Sequence, residues 1–177
     1  MQPLTCPIPA NINPLQSNGF LFGIQKLPDI SFFCQEVNIP ELMLPNSEYA
    51  TSLVNVKMPG DKPVFGDLSL TFLIDETMGN YVSVHNWLMG LGFPESQTQY
   101  NDFITDRTDA LNGSPQMAAV SDGILQVLNS NNTVAKTIRF IDLFPISLSS
   151  LTLQSTTQDT QYLAGVVTFG YTLYRFE

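Results

Sequence analysis

Charge is scarce in this sequence. Only 13% of its 177 residues are charged, against 44% that are hydrophobic, and the basic residues are fewer still: 7 Lys plus Arg face 16 Asp plus Glu, for a formal net charge of −9. Such a surface repels phosphate backbones and disfavours tight nucleic-acid binding by counterion release, although a wall past which DNA slides without sticking would carry this sign. The shortage of charge also leaves much of the non-core surface to neutral polar side chains or to other subunits. Histidine is represented only by His85 and cysteine only by Cys6 and Cys34. No second His, no H-E-x-x-H and no paired C-x-x-C accompany them, which argues against a zinc centre or a disulfide framework. His85 reads as a helix-surface or partly buried residue, Cys34 as a small buried one and Cys6 as an incidental thiol. No apolar run reaches the ~18 residues of a membrane-spanning helix. The start "MQPLTCPIPANINP" lacks a basic segment followed by an apolar core, so synthesis and initial folding are expected in the cytosol.

Signatures of catalysis are missing as well. There is no G-x-x-x-x-G-K-[ST], no G-x-G-x-x-G after a strand and no G-x-S-x-G. Asp75 and Glu76 are adjacent, but successive strand residues face opposite sides, so the pair reads as a solvated strand end or the acidic start of a helix. "DRTD" at Asp106–Asp109 lacks the spacing of a calcium loop. "NGS" at Asn112 and "NNT" at Asn131 match the glycosylation pattern only by chance without a secretory route. Phe32, Phe33, Tyr171 and Tyr174 lack interleaved Lys or Arg and are expected in the core or at an interface rather than on a base-stacking platform. The expectation is a protein with no catalytic residues, metal or cofactor.

What the sequence does contain is β pattern within a length that suits one domain, 1–177. Pro3, Pro7, Pro9 and Pro14 favour an extended N-terminal arm over 1–18. "GFLFGI" alternates, and a turn at "KLPD" then leads into "ISFFCQEVNI", so the pair reads as a hairpin. Pro40, Pro45, Pro59 and Pro63 punctuate the next segment. Its strand-like middle suits a projecting hairpin over 42–65 better than an internal strand, with Gly60 and Asp61 expected to turn its end. "FGDLSLTFLIDE" places Leu68, Leu70, Phe72 and Ile74 on one face of the clearest strand. "NYVSVHNWLMGLG" shifts to helical spacing through Tyr81, Val84, Trp87, Leu88 and Leu91, and predicts one short flanking helix. A polar loop follows over 93–117, long enough to suggest function or ordering by a partner. Then "GILQVL", the "NSNN" turn and "TVAKTIRFIDLF" form a second hairpin, and the chain ends in a strand through Val167, Phe169, Tyr171 and Leu173. The fold class is mainly β: an antiparallel β-sandwich or partly closed barrel with one flanking α-helix and a projecting β-hairpin.

In order, "VNVKMPGDKPVFGDLSLTFLIDE", "YVSVHNWLMG", "KTIRFIDLFPISLSSLTL" and "VVTFGYTLYRFE" resemble the tail tube proteins of contractile-tailed bacteriophages, part of a superfamily shared with type VI secretion and related contractile injection systems. A glycine-aspartate turn before a strand that ends near an acidic pair, a Trp-containing helix and an "LFP" corner carry the likeness. The proline-rich start and the 93–117 insertion depart from the pattern. The resemblance implies six copies in a ring, and rings stacked into a tube inside a contractile sheath, with DNA crossing the lumen. The implied partners are other copies of this chain, the tail sheath protein, baseplate and tail-terminator proteins, and genomic DNA passing without sequence-specific binding; no small-molecule substrate is implied. The place is the virion tail, assembled in the host cytoplasm. Under this reading the hairpin meets a neighbouring subunit through Tyr49, Leu53, Val54, Val56, Met58, Gly60 and Asp61, and the arm and the 93–117 loop contact other rings or sheath. A baseplate hub, tube initiator or tube terminator of the same fold is the first alternative. A monomeric β-sandwich carbohydrate-binding module is the second, disfavoured by the placement of Trp87 on a core-facing stripe.

Overall fold

The computed structural model describes residues 13–92, 98, 119–155 and 162–177. Of the expected arm, 13–18 fall among these and are exposed without strand structure; apart from Thr98, the 93–117 loop lies outside them. The chain opens with β1 (Phe20–Ile24), a six-residue helix α1 (Pro28–Phe33) and β2 (Cys34–Val37). Four short strands follow: β3 (Leu42–Met43), β4 (Asn46–Ala50), β5 (Asn55–Pro59) and β6 (Val64–Phe65). Next come β7 (Leu68–Leu73), helix α2 (Gly79–Gly92), β8 (Ser121–Leu128), the long β9 (Val134–Leu148), β10 (Ala164–Gly170) and β11 (Leu173–Phe176).

The strands run in the order β1-β8-β9-β10-β7-β2, with β11 also paired to β9, and every pair is antiparallel. One strand, β9, serves two sheets. Its first part pairs with β8 and β11, and its last residues, from Phe144 onward, pair with β10. The change of sheet falls at Asp142, whose φ of 58° is a left-handed conformation that Asp tolerates better than most residues. The Asp142 carboxylate accepts a hydrogen bond from the Thr172 hydroxyl at 3.0 Å, which ties the corner to the β10–β11 junction. Pro145 follows where the β9–β10 register shifts, a position that tolerates the missing N–H. The "LFP" segment is thus a corner, as the resemblance implied.

Between the two sheets lies one apolar cluster. Leu68, Leu70 and Phe72 of β7, Val167 and Phe169 of β10, and Ile138, Phe140 and Leu143 of β9 are all fully buried. Helix α2 adds Val84 and Trp87, and the Trp87 indole N–H donates to Ala119 O at 3.0 Å. Buried Asn80 clips the helix to the sheet: its amide donates to Leu73 O at 2.7 Å, and its Oδ1 accepts from the Asp75 N–H at 3.4 Å. The turn between β8 and β9 forms at the expected asparagines, where Asn129 Oδ1 accepts from the N–H groups of Asn131 and Thr133.

Three expectations need correction. The anticipated hairpin of β1 with "ISFFCQEVNI" does not form, because Pro28–Phe33 are helical; β1 pairs with β8, and β2 with β7. Pro28 at the helix start is preorganised for that turn, and burial of Ile30 holds it on the core. The sheets stay open rather than closing as a barrel, since among the described residues no pairing joins β1 to β2. The terminal strand is broken into β10 and β11 at Tyr171 and Thr172, so that its two parts follow β9 around the corner.

Candidate assembly interface

Residues 42–65 form a projecting hairpin in two parts. A short base pairs Leu42 with Phe65 and Met43 with Val64, and a longer ribbon pairs β4 with β5 from Asn46↔Pro59 to Ala50↔Asn55. Between them lies an elbow, where the Gly60 N–H donates to Pro45 O at 2.7 Å. A Cβ on Gly60 would sit 2.4 Å from that oxygen, so only glycine permits the approach. Gly60 and Asp61 therefore shape the elbow and not the tip. The tip is Thr51–Val54, closed by the hydrogen bonds of the Thr51 N–H and hydroxyl to Val54 O.

Every residue of β4 and β5 is exposed. Directly opposed residues share a face of an antiparallel ribbon, so Tyr49 with Val56 and Ser47 with Met58 make one face, while Glu48 with Lys57 and Ala50 with Asn55 make the other. Polar groups satisfy each other on the second face, where Asn55 Nδ2 donates to Glu48 Oε2 at 3.3 Å. The first face is apolar and bare: Tyr49 is 66% exposed, Met58 54% and Val56 47%. It leads to the tip, where Leu53 and Val54 are 95% and 65% exposed. The structure thus brings together five of the seven anticipated interface residues on one face and its tip, with Gly60 and Asp61 behind them. Uncovered apolar surfaces of this kind are common at sites of association.

The root of the hairpin is aromatic. Phe65 stands edge-on to Tyr171 and Tyr174, with ring centroids 6.1 and 5.4 Å apart, and Phe140 supports both tyrosines from the core. The Tyr171 hydroxyl donates to Gly66 O at 2.7 Å, and that of Tyr174 to Pro40 O at 3.3 Å. Sequence reasoning assigned these tyrosines to a core or an interface without linking them to the hairpin. Their spacing along the chain held no signal for that link. Strand edges are also free, since β1, β2 and β11 each carry a strand partner on one side only among the described residues.

Among the described residues, the remaining polar groups do not converge for chemistry. His85 is exposed on α2, and Asp75 engages the Thr77 hydroxyl at 3.0 Å in the turn before it. Burial pushes the Cys34 pKa up to about 11, against a smaller opposing effect of a backbone hydrogen bond with Glu36, so the thiol stays protonated at neutral pH. An open groove of about 490 Å³ bordered by Ile24, Pro28 and Ile124 contains the Arg139–Asp122 ion pair, 2.7 Å apart. Among the described residues, no cluster of three or more His, Cys, Asp or Glu could hold a metal ion.

This open two-sheet fold recurs in parts of contractile injection systems. The anti-feeding prophage tube-terminating cap matches with a TM-score of 0.60 and 16% identity, covering 99% of this chain and 98% of that one. The six-fold symmetrised baseplate of the same particle matches at 0.59 with 15% identity over 93% and 96% of the two chains. The sheath–tube complex of the extracellular contractile injection system PVC in its extended state matches at 0.57 with 16% identity over 93% and 91%. At such identities the likeness is one of fold. No match is found among curated proteins. The family model for phage tail tube proteins matches residues 5–177, and the chain belongs to that family. It is a structural, non-catalytic protein of the virion tail with a tube-forming role.

Proposed function

We propose that this chain, acting as one domain over 1–177, is the repeating subunit of a phage tail tube: six copies close into a ring, rings stack inside a contractile sheath, and genomic DNA crosses the lumen. The bare apolar face of the hairpin carries the reading. Tyr49, Val56 and Met58 need a cover, and a neighbouring subunit in the ring supplies it. Free edges on β1, β2 and β11 support the same conclusion, as does the net charge of −9, which suits a channel that must not retain phosphate. The six-fold symmetry of the related baseplate particle supports the ring number. Sheath, baseplate and terminator proteins are the expected neighbours.

Electron microscopy of the purified protein tests the reading; rings or tubes are expected, and a stable monomer under all assembly conditions would overturn it. Excision of Asn46–Pro59 with Pro45 joined to Gly60 offers a clean companion variant, because these two residues already meet through the 2.7 Å hydrogen bond. It should abolish assembly while the monomer still folds. A tube-end role is the second reading, favoured by the match to a tube-terminating cap. Copy number in the virion separates the two: many copies along the tail for the subunit, a single ring for an end protein.

A further inference from the structure

The hairpin is long, exposed and attached by two short chain segments, yet both segments are gripped by the same pair of side chains. Tyr174 holds the incoming leg at Pro40 O, and Tyr171 holds the outgoing leg at Gly66 O. Phe65, the last residue of the base, packs edge-on against both of their rings, and the Gly66 N–H donates to Glu41 O at 3.0 Å to join the legs. The two tyrosines flank the β10–β11 junction, whose Thr172 is fixed to the β9 corner twice: its N–H donates to Ile141 O at 3.0 Å and its hydroxyl to Asp142 at 3.0 Å. A continuous set of contacts therefore runs from the left-handed Asp142, through Thr172, to the hairpin root.

From this geometry we infer that Tyr171 and Tyr174 are positioning residues that aim the hairpin, so that the angle at which the apolar ribbon meets a neighbour is set by the corner between the two sheets. Packing of Phe65 alone would hold the root near the core but would leave rotation about the ring contacts free. The legs are joined to each other through Gly66–Glu41 and the Leu42↔Phe65 pair, so they move together, and two hydroxyl bonds at two separate points fix that joined root against rotation. The inference rests on the assembly role of the hairpin proposed above.

The test is the double variant Tyr171→Phe, Tyr174→Phe, which keeps both rings and deletes both hydroxyls. In the unassembled protein, hydrogen exchange of the amides at Leu42–Met43 and Val64–Gly66 should quicken roughly tenfold, the loss expected for two modest hydrogen bonds, while β7 and β10 are unchanged. Assembly into tubes should slow by a similar factor, and each single variant should fall between. A third variant, Phe65→Leu, keeps the hydroxyls and removes the ring contacts; it should affect exchange less than the double variant. Unchanged exchange at the root, or faster exchange with wild-type assembly, would overturn the inference. If the wild-type protein forms no tubes, the tube proposal fails while the exchange comparison still decides whether the tyrosines fix the root.

Discussion

Strand β7 and the β4–β5 ribbon are written in the same alternating code and meet opposite fates. Leu68, Leu70 and Phe72 are wholly buried, whereas Tyr49, Val56 and Met58 stand in solvent. The difference lies in what surrounds each element. β7 has a strand on either side and a second layer over its apolar face; the ribbon has two strands and, among the described residues, nothing above them, an arrangement of marginal stability on its own. Alternation thus specifies a face to be covered without specifying who covers it. The sharpest way to break this comparison is a pair of truncations. Phe72→Ala should cost about 3–5 kcal/mol of monomer stability in denaturant unfolding, because it opens a cavity in a packed core. Met58→Ser should change the same measurement by less than about 0.5 kcal/mol and act on assembly instead. Comparable losses from both would mean that the ribbon packs on its own subunit.

Gly60→Val sharpens the comparison at the boundary between the two regions. The added Cβ meets the Pro45 carbonyl at 2.4 Å, and backbone cannot yield as a flexible side chain would. The elbow must open and give up the Gly60–Pro45 hydrogen bond. A local cost of about 1–3 kcal/mol is expected, read as faster hydrogen exchange over 46–59 with β7 and β10 unaffected. Protection that stays at the wild-type level would show that the close approach is dispensable.

The same contrast explains what the sequence revealed. β7, α2 and the β8–β9 hairpin were legible because each is decided locally, by alternation, by helical spacing or by a cluster of asparagines. Helix α1 was not, because "ISFF" has strand chemistry; the opposing signals were Pro28 at its start and Asp29 in its first turn, backed by the burial of Ile30. Gly60 and Asp61 looked like a turn and proved to be an elbow, since the tip is closed by the Thr51 hydroxyl, without glycine. That residues 42–65 leave the core could be anticipated from prolines that exclude a core strand. The aromatic root could not, because Tyr171 lies 105 residues from Gly66 and Tyr174 lies 134 from Pro40.

The smallest expected effect concerns pH, and it too separates root from core. Burial first, then the neighbouring Tyr174 and Asp67, push the Tyr171 pKa up to about 12 from 10. The neutral phenol is the form that donates to Gly66 O. Between pH 10 and 12 the unfolded chain has released this proton and the folded chain retains it, so rising pH favours the unfolded state. The contribution is complete below pH 10 and is lost as pH climbs through 12. Partial exposure of the ring keeps it modest. Thermal melting of the wild type and of Tyr171→Phe from pH 9 to 12 should therefore show the wild type declining more steeply, with the difference confined to that window. Nothing comparable is expected from the β7 face, where Leu68, Leu70 and Phe72 carry no proton to lose. Parallel melting curves would mean that the Tyr171 hydroxyl is as free to ionise in the folded protein as in the unfolded chain, and that its bond to Gly66 O does not help to hold the root.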